Sequence, residues 1–336
     1  MSNFGIVILL LSCIVLWQFR LILLLIFGAI ISATILNALT EFWQNKFSLN
    51  RNRAVAINLL TVVIAIALLL VFILPTFISQ FQELISLIPR ANSKIAEILA
   101  NPPDWLPISE VESLPTIEDV YDGIARATPK LFENFLNLFS FSGSFALQSL
   151  LLLVLSLMLH GNPQAYRSLA LKLIPKSKRK TIDLILTLNQ KRLIAWIKGM
   201  CVNSAFIALG CGLVLVVLGI PFAFSNGILA GIFNFIPNVG PMISLVFPIS
   251  VALIDSPDKI IPIGIAYFII QQIESYWLSP LVMKQQVNLL PAATLIAQIF
   301  FATFLGIPGL VLALPLTVVF STWIDKLIVQ DFLENN

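Results

Sequence analysis

The sequence predicts an all-α polytopic integral membrane protein, and both its composition and its long charge-free runs favour that class. Of its 336 residues, 58% are hydrophobic and 11% are charged, and the mean hydropathy is +0.96. So few polar groups cannot cover the surface of a soluble globule of this size. A spanning helix needs about 20 mainly apolar residues, and apolar runs of that kind recur along the chain.

These runs predict about eight transmembrane helices. They cover residues 4–19, 21–40, 54–74, 141–160, 199–218, 222–254, 260–278 and 294–323. The sixth run is too long for one straight span, so we expect it to be broken. The first lacks the basic start and the cleavage site of a signal peptide and continues through Arg20 into the second, so we expect it to be retained.

The placement of charges predicts the topology. Segment 161–198 has nine Lys and Arg against one acidic residue, and loop 41–53 is also basic, so both should face the cytoplasm. Segment 75–140, with nine acidic and four basic residues, then lies outside. Eight crossings place both termini in the cytoplasm. A hairpin or a re-entrant segment within 222–254 would instead move every later loop to the other side.

The predicted spans and loops divide the chain into six parts. These are the first three helices (1–74), an external amphipathic helical segment (75–140), the fourth helix (141–160), a basic cytoplasmic amphipathic segment (161–198), a C-terminal transmembrane region (199–324) and a cytoplasmic tail (325–336). Apolar residues recur at helical spacing in the external segment, as in Ile78, Phe81 and Leu84. Such helices either lie on the membrane as a cap or form a substrate gate or a subunit contact.

A basic cluster stands out in the cytoplasmic segment. It consists of Lys176, Lys178, Arg179 and Lys180. Four or more cations beside a span can fix the topology, and they can also bind anionic lipid. Both interpretations stay open.

The stretch "NFIPNVGP" at 234–241 predicts the helix break. Pro237 and Pro241 each lack a backbone donor, and Gly240 allows backbone conformations that other residues resist. Asn234 and Asn238 can bond the freed backbone groups. A broken helix persists in a bilayer only where protein or water satisfies it, so the break is expected to line a substrate or ion pathway. The alternative is a tight turn between two short helices.

Glu274 is the acidic residue that lies well inside a predicted span. An unpaired charge there would cost about 3 kcal/mol or more, so the side chain should face protein or water. Gln271 and Ser275 lie on the same helix face and extend it into a polar stripe. The carboxyl group could bind a cation, carry a proton or hydrogen-bond a polar substrate; alternatively, it only ties helices together. Upstream, Gly227 and Gly231 are expected to form a close helix-packing face.

Several classes of function find no motif in the sequence. Cys13, Cys201 and Cys211 lack metal-ligand spacing, and the single His160 rules out a His-pair zinc motif. There is no GxSxG, HExxH or P-loop sequence, so we expect neither an enzyme nor an ATP-driven pump. "FSGSF" at 141–145 with His160 is a poor approach to a Ser-His dyad. We expect no metal, no cofactor and no nucleic-acid partner.

The order of motifs in the C-terminal region resembles the autoinducer-2 exporter family of permeases. The similarity is carried by "LGIPFAFSNGILAGIFNFIPNVGP" and by "QQIESYWLSPLVMKQQVNLLPAATLIAQIFFATFLGIPGLVLALPLT". Upstream, "NRAVAINLL" and "ILPTFISQFQELISLIP" are also similar in order and spacing, so the resemblance covers nearly the whole chain. The positions that match the motifs are Pro237, Gly240, Glu274, Pro280, Pro291 and Pro315.

The resemblance implies a bacterial-type inner-membrane permease and a homo-oligomer. Members of that family have been assigned export of the quorum signal autoinducer-2, and some relatives are described as sodium/proton antiporters. The helix break together with Glu274 leads us to expect a secondary carrier or facilitated exporter of a small polar solute. A sodium (lithium)/proton antiporter is therefore one alternative, and a non-transporting structural or envelope-assembly protein is another. This sequence departs from its relatives in two places. Relatives often have a glycine in the segment after Met283. They also often have a histidine before the proline at 291, where this chain has "NLLP", so no role of that histidine is carried over.

Overall fold

The computed structural model describes residues 17–68, 71, 75, 79, 143–236, 240–282 and 291–327. The expected external segment 75–140 and the tail 325–336 lie almost wholly outside these residues, as do most of the first expected span, Pro237 and Asn238.

The described secondary structure is helical. We number the α-helices α1 (Arg20–Phe47), α2 (Arg51–Leu68), α3 (Gly143–Gly161), α4 (Pro163–Lys172), α5 (Arg179–Val217), α6 (Ala223–Phe233), α7 (Gly240–Asp255), α8 (Ile260–Ile273), α9 (Ser279–Val282), α10 (Pro291–Val311) and α11 (Ala313–Ile324). Two short 3₁₀ turns, Lys176–Lys178 and Pro257–Lys259, precede α5 and α8, and a π-helical turn, Glu274–Leu278, follows α8.

Four helical stretches among the described residues are long and apolar enough to cross a membrane. They are Arg20–Phe47, Arg51–Leu68, Lys176–Val217 and Ala292–Val311, and shorter apolar helices cover Leu147–Gly161, Ala223–Phe233 and Gly240–Asp255. This confirms the predicted class, an all-α polytopic membrane protein.

The sixth predicted span is broken, as expected. α6 ends at Phe233, residues 234–236 form a turn, and α7 begins at Gly240. At about 1.5 Å per residue, α6 is about 16 Å long and α7 about 24 Å long, so neither covers the roughly 30 Å of a bilayer core alone. The two helices pack against each other, and the rings of Phe233 and Phe247 stack with centroids 6.3 Å apart.

α5 is one continuous helix of 39 residues. At about 1.5 Å per residue it is about 58 Å long, roughly twice the thickness of a bilayer core. It therefore joins the basic segment and the fifth predicted span without interruption. The boundary drawn at 198/199 from the sequence falls inside this helix.

The described residues fall into two structural units, each with its own buried side chains. The first contains residues 17–63, 147–199 and 291–327. In it, α1 buries a stripe at helical spacing that includes Leu24, Gly28 and Ile31. On the same helix, Asn37 and Thr40 continue the buried stripe with polar side chains.

The second unit contains the described residues of 64–79, 143–146 and 200–282. Its core is formed by the second half of α5 together with α6, α7 and α8, and it includes Leu215, Leu229, Val251 and Ile263, all with no exposed surface. The close approach of α6 to α5 depends on small residues. A Cβ atom added to Gly231 would lie 2.8 Å from the Ser204 carbonyl oxygen.

A second kink lies in α10, where Gly306 has φ 69° and ψ −154°. This conformation is essentially restricted to glycine. We therefore expect Gly306→Ala to lower the free energy of unfolding by about 1–2 kcal/mol, since the strain outweighs the entropy that alanine saves in the unfolded chain. Unfolding in mixed micelles with increasing SDS measures this change. If the SDS concentration at the midpoint of unfolding were unchanged, the substitution would cause no strain at Gly306.

Candidate functional site

The candidate site is centred on Glu274, at the point where α8 changes to the π-helical turn. The apolar α8 ends at Ile273, and Glu274 opens the turn with only 7% of its surface exposed. A π-helical turn closes i→i+5 hydrogen bonds, and here the Ser279 amide N–H donates to the Glu274 carbonyl. Such turns inside α-helices occur often at functional sites.

Two side chains donate to one carboxylate oxygen of Glu274. The Asn203 Nδ2 atom on α5 donates to Oε1 at 2.5 Å, and the Ser279 hydroxyl donates to the same oxygen at 2.7 Å. Asn203 Nδ2 also donates to Ser279 Oγ at 2.6 Å. The three groups thus form a closed triangle that ties α5 to the turn after α8.

Two further side chains donate to the other oxygen. Gln271 Nε2 and Ser275 Oγ both lie 3.2 Å from Glu274 Oε2. An ionised carboxylate has about four sites for hydrogen bonds, and four neutral donors fill them here. Within the described residues no Lys or Arg forms an ion pair with Glu274.

Amides and hydroxyls placed in this way can solvate a negative charge without a counter-ion. If the carboxylate takes up a proton or a cation, at least one donor must turn away or become an acceptor. The hydroxyls of Ser275 and Ser279 can do this by rotation. Two buried oxygens on α5, Asn203 Oδ1 and Ser204 Oγ, have no hydrogen-bond partner in the described part of the chain. The amide of Asn203 therefore keeps an unused acceptor, while its nitrogen is bonded to the carboxylate.

Sequence reasoning missed two members of this site. Asn203 was counted as part of an apolar span, and its polarity beside Ser204 was the signal that could have found it. Ser279 lies five residues after Glu274, so α-helical spacing of three or four does not select it. The i→i+5 spacing of the π-turn brings it to the carboxylate.

A match to a family model along nearly the whole length of the chain shows the family. A family model described as "AI-2E family transporter" matches residues 6–328. The chain belongs to the AI-2E transporter family. This confirms the resemblance read from the "FIPNVGP" and "QQIESYW" motifs.

Several relatives in this family carry names that refer to transport. "Putative transport protein YueF" of Bacillus subtilis (strain 168) is 33% identical over 147 residues, which cover 44% of this chain and 40% of that protein. "Putative transport protein YhhT" of Escherichia coli (strain K12) is 23% identical over 304 residues, 88% of this chain and 82% of the relative. "AI-2 transport protein TqsA" of the same strain is 27% identical over 113 residues, 33% of each. The chain thus spans about two fifths of the length of YueF.

The fold of this AI-2E family transporter brings some of the predicted site residues together and separates others. Gln271, Glu274 and Ser275 form one hydrogen-bonded group, as described above. Asn234 is buried at the end of α6, but no hydrogen bond joins it to Glu274 in the structure. Pro237 and Asn238 lie outside the described residues, so their expected part in the pathway stays a prediction.

The other predicted positions lie along the helices of the C-terminal region. They are the remaining matches to the family motifs and the two glycines expected to pack. Gly240 and Pro241 open α7, Pro280 is exposed in α9, Pro291 is the first residue of α10 and Pro315 is buried in the first turn of α11. Gly227 and Gly231 are buried on α6. An added Cβ atom on Gly240 would meet the Phe233 carbonyl group across the break. Gly240 therefore allows α6 and α7 to approach closely at the turn.

Proposed function

We propose that this AI-2E transporter is a secondary carrier or facilitated exporter of a small polar solute, with Glu274 as a binding or coupling group in the pathway. The observation that carries the proposal is a buried carboxyl group held by four neutral donors. Ionisable groups inside membrane segments are costly and mark substrate or ion pathways by default. A scaffold protein needs no such group.

The helix break gives independent support. Half-helices that meet inside a membrane expose backbone dipoles, and transporters use such ends to bind solutes and ions. α6 and α7 meet in this way after Phe233, in the same structural unit as Glu274. The name of TqsA makes autoinducer-2 the first solute to test.

A sodium (lithium)/proton antiporter is a second candidate function. The same carboxyl group could alternate between a proton and a monovalent cation, and the unpartnered amide oxygen of Asn203 is a suitable cation ligand. A structural or envelope-assembly role is the third candidate, and it predicts no solute flux at all.

The charge distribution and the family support a proposal for the setting of the carrier. We propose a bacterial-type inner membrane, cytoplasmic termini and a homo-oligomer, with anionic lipid at the basic cluster. Lys176, Lys178 and Lys180 are exposed, whereas the guanidinium group of Arg179 donates to the carbonyl groups of Ile174 and Lys172. The three lysines are thus available to lipid headgroups.

Glu274→Gln is expected to reduce the flux of labelled autoinducer-2 into inverted membrane vesicles by about tenfold to a hundredfold. The glutamine keeps the size of the side chain but loses the charge and one acceptor atom, a change worth about 1.5–3 kcal/mol per charged hydrogen bond. Parallel assays with radioactive sodium and with a pH-sensitive dye measure cation and proton movement in the same vesicles.

A matched pair of neighbouring glutamines controls for expression and folding. Gln271→Leu removes a donor to the carboxylate and should reduce flux, whereas Gln272→Leu removes a side chain outside the hydrogen-bonded group and should leave flux unchanged. Movement of sodium and protons without autoinducer-2 would establish the antiporter instead. If vesicles with the wild-type protein move none of these probes above background, the carrier proposal fails for all of them. If the flux through the Glu274→Gln variant equals that of the wild type, Glu274 is structural.

A further inference from the structure

A second buried polar group lies in the first structural unit, where α1, α2 and α3 supply its side chains. We call it the His160 cluster, and it consists of Asn37, Thr40, Asn58 and His160, with Arg51 at its edge. The first four residues are between 0% and 9% exposed. From the sequence, His160 was assigned no function, because it forms no zinc motif and only a poor approach to a Ser-His dyad with "FSGSF". The transport proposal does not use this cluster.

The contacts of His160 show which ring nitrogen, Nδ1 or Nε2, carries a hydrogen in the neutral imidazole. Arg51 Nη2 lies 3.4 Å from the Oδ1 atom of Asn37, and His160 Nδ1 lies 2.9 Å from the same atom. Because a guanidinium group only donates, its partner on Asn37 must be the amide oxygen. An amide oxygen only accepts, so Nδ1 of His160 must carry a hydrogen. The other nitrogen, Nε2, is then the atom that can gain or lose a proton.

The partner of Nε2 can accommodate both protonation states. His160 Nε2 lies 3.4 Å from Thr40 Oγ1, and Thr40 Oγ1 lies 3.0 Å from the Leu36 carbonyl oxygen. With a neutral imidazole, the Thr40 hydroxyl can point its hydrogen at Nε2. With an imidazolium, Nε2–H donates to Oγ1 and the hydroxyl turns to Leu36. No donor loses its acceptor in either state.

Asn58 holds the Thr40 hydroxyl in place. Asn58 Nδ2 donates to Thr40 Oγ1 at 3.0 Å and to the Leu36 carbonyl at 2.8 Å. Its Oδ1 atom is buried and has no partner among the described residues. Unpartnered buried oxygens are rare and call for an explanation. Here the oxygen belongs to the residue that holds Thr40 Oγ1, the partner of His160 Nε2.

Arg51 is the charged side chain that faces the imidazole. It donates to the His160 carbonyl oxygen at 3.1 Å and acts on the ring electrostatically. α1 presents the neutral Asn37 and Thr40 to the ring, and α2 also presents Asn58. The other charged side chains near these turns of α1 and α2 are exposed, namely Glu41, Lys46 and Arg53. A proton on Nε2 therefore adds a second positive charge beside Arg51 with no acidic group of the described chain in contact.

We infer that His160 is a proton-binding site in which Nδ1 keeps its hydrogen, Nε2 takes up and releases a proton, and the Thr40 hydroxyl turns to match. Because Arg51 and His160 share the Asn37 oxygen, protonation weakens the Arg51 contacts that hold the start of α2 to α1 and α3. The site thus links pH to the packing of three helices. It does not depend on the proposed solute or on Glu274.

The single histidine makes a direct test possible. The full chain is labelled with ¹⁵N-histidine, purified with a histidine-free tag and placed in lipid nanodiscs, so that solid-state NMR detects one imidazole. At pH 8 we expect the Nδ1–H tautomer, which is the less common form of free histidine in water. As the pH is lowered, we expect the Nε2 signal to change to that of an imidazolium while the helical circular dichroism is retained.

Variants of the neighbouring residues test which groups control the protonation of His160. Arg51→Gln removes the competing charge and should raise the protonated fraction at a given acidic pH several-fold, whereas Arg53→Gln, two residues away and exposed, should not. Thr40→Val removes the acceptor for Nε2–H and should lower that fraction. The Nε2–H tautomer at pH 8 would overturn the proposal. So would an imidazole that stays neutral at every pH at which the helical circular dichroism is retained, or equal effects of Arg51→Gln and Arg53→Gln.

Discussion

Gly227→Ala is expected to destabilise the protein by an amount near the upper end of the about 1–3 kcal/mol that overpacking costs. An added Cβ atom would lie 2.7 Å from the Ala208 carbonyl oxygen and 2.9 Å from the Gly212 Cα atom. Both atoms belong to the backbone of α5, so no side-chain rotation can relieve the overlap. α6 must then move away from α5, and the core that they share with α7 and α8 opens.

Gly264→Ala on α8 is the matched control for this prediction. The same substitution meets no atom within 4 Å there. Since alanine favours a helix over glycine by roughly 0.5–1 kcal/mol, this variant should be as stable as wild type or slightly more stable. SDS-induced unfolding of both variants in mixed micelles measures the difference. Equal stabilities would show that the α5–α6 contact is not tightly packed at Gly227.

Asn203→Leu is expected to cost about 3 kcal/mol of stability and to reduce solute flux. Its Nδ2 group donates to both Glu274 Oε1 and Ser279 Oγ. The leucine leaves a buried carboxyl oxygen with one donor fewer, and hydrogen bonds to charged groups are worth about 1.5–3 kcal/mol each. Ser204→Ala is the neighbouring control. Because Ser204 Oγ has no partner in the described structure, its removal should be neutral or stabilising.

A double-mutant cycle separates this contact from general damage. Asn203→Leu and Glu274→Leu each leave the partner unsatisfied, whereas the double variant replaces both polar groups with apolar ones. We expect a coupling free energy of about 1–3 kcal/mol between the two sites, measured by the same unfolding assay. If the two single effects simply add, the hydrogen bond between Asn203 and Glu274 contributes little, and Glu274 is held by its near neighbours on α8 and the turn.

The candidate site shows where reasoning from the sequence stops. Gln271, Glu274 and Ser275 could be grouped in advance because they lie within four residues on one helix, and helix geometry fixes their relative positions. Asn203 lies 71 residues from Glu274, and no local period relates the two. Ser279 was missed for a different reason. The π-turn changes the spacing from four residues to five, and composition does not signal such a turn.

The His160 cluster shows the same limit more strongly. His160 is 123 residues from Asn37 and 120 from Thr40. Each residue alone is an ordinary polar side chain within an apolar helix. Their assignment as a group depends entirely on how α1, α2 and α3 pack.

The membrane class, the approximate positions of the apolar helices, the break after α6 and the family could all be predicted from the order of residues, because hydropathy, proline and glycine act over a few neighbours. The partners of Glu274, the continuity of α5 from the basic segment into the fifth span, and the environment of His160 are visible only in the folded chain. A buried polar group must find its hydrogen bonds wherever the packed chain supplies them, and that supply comes from helices far apart in sequence.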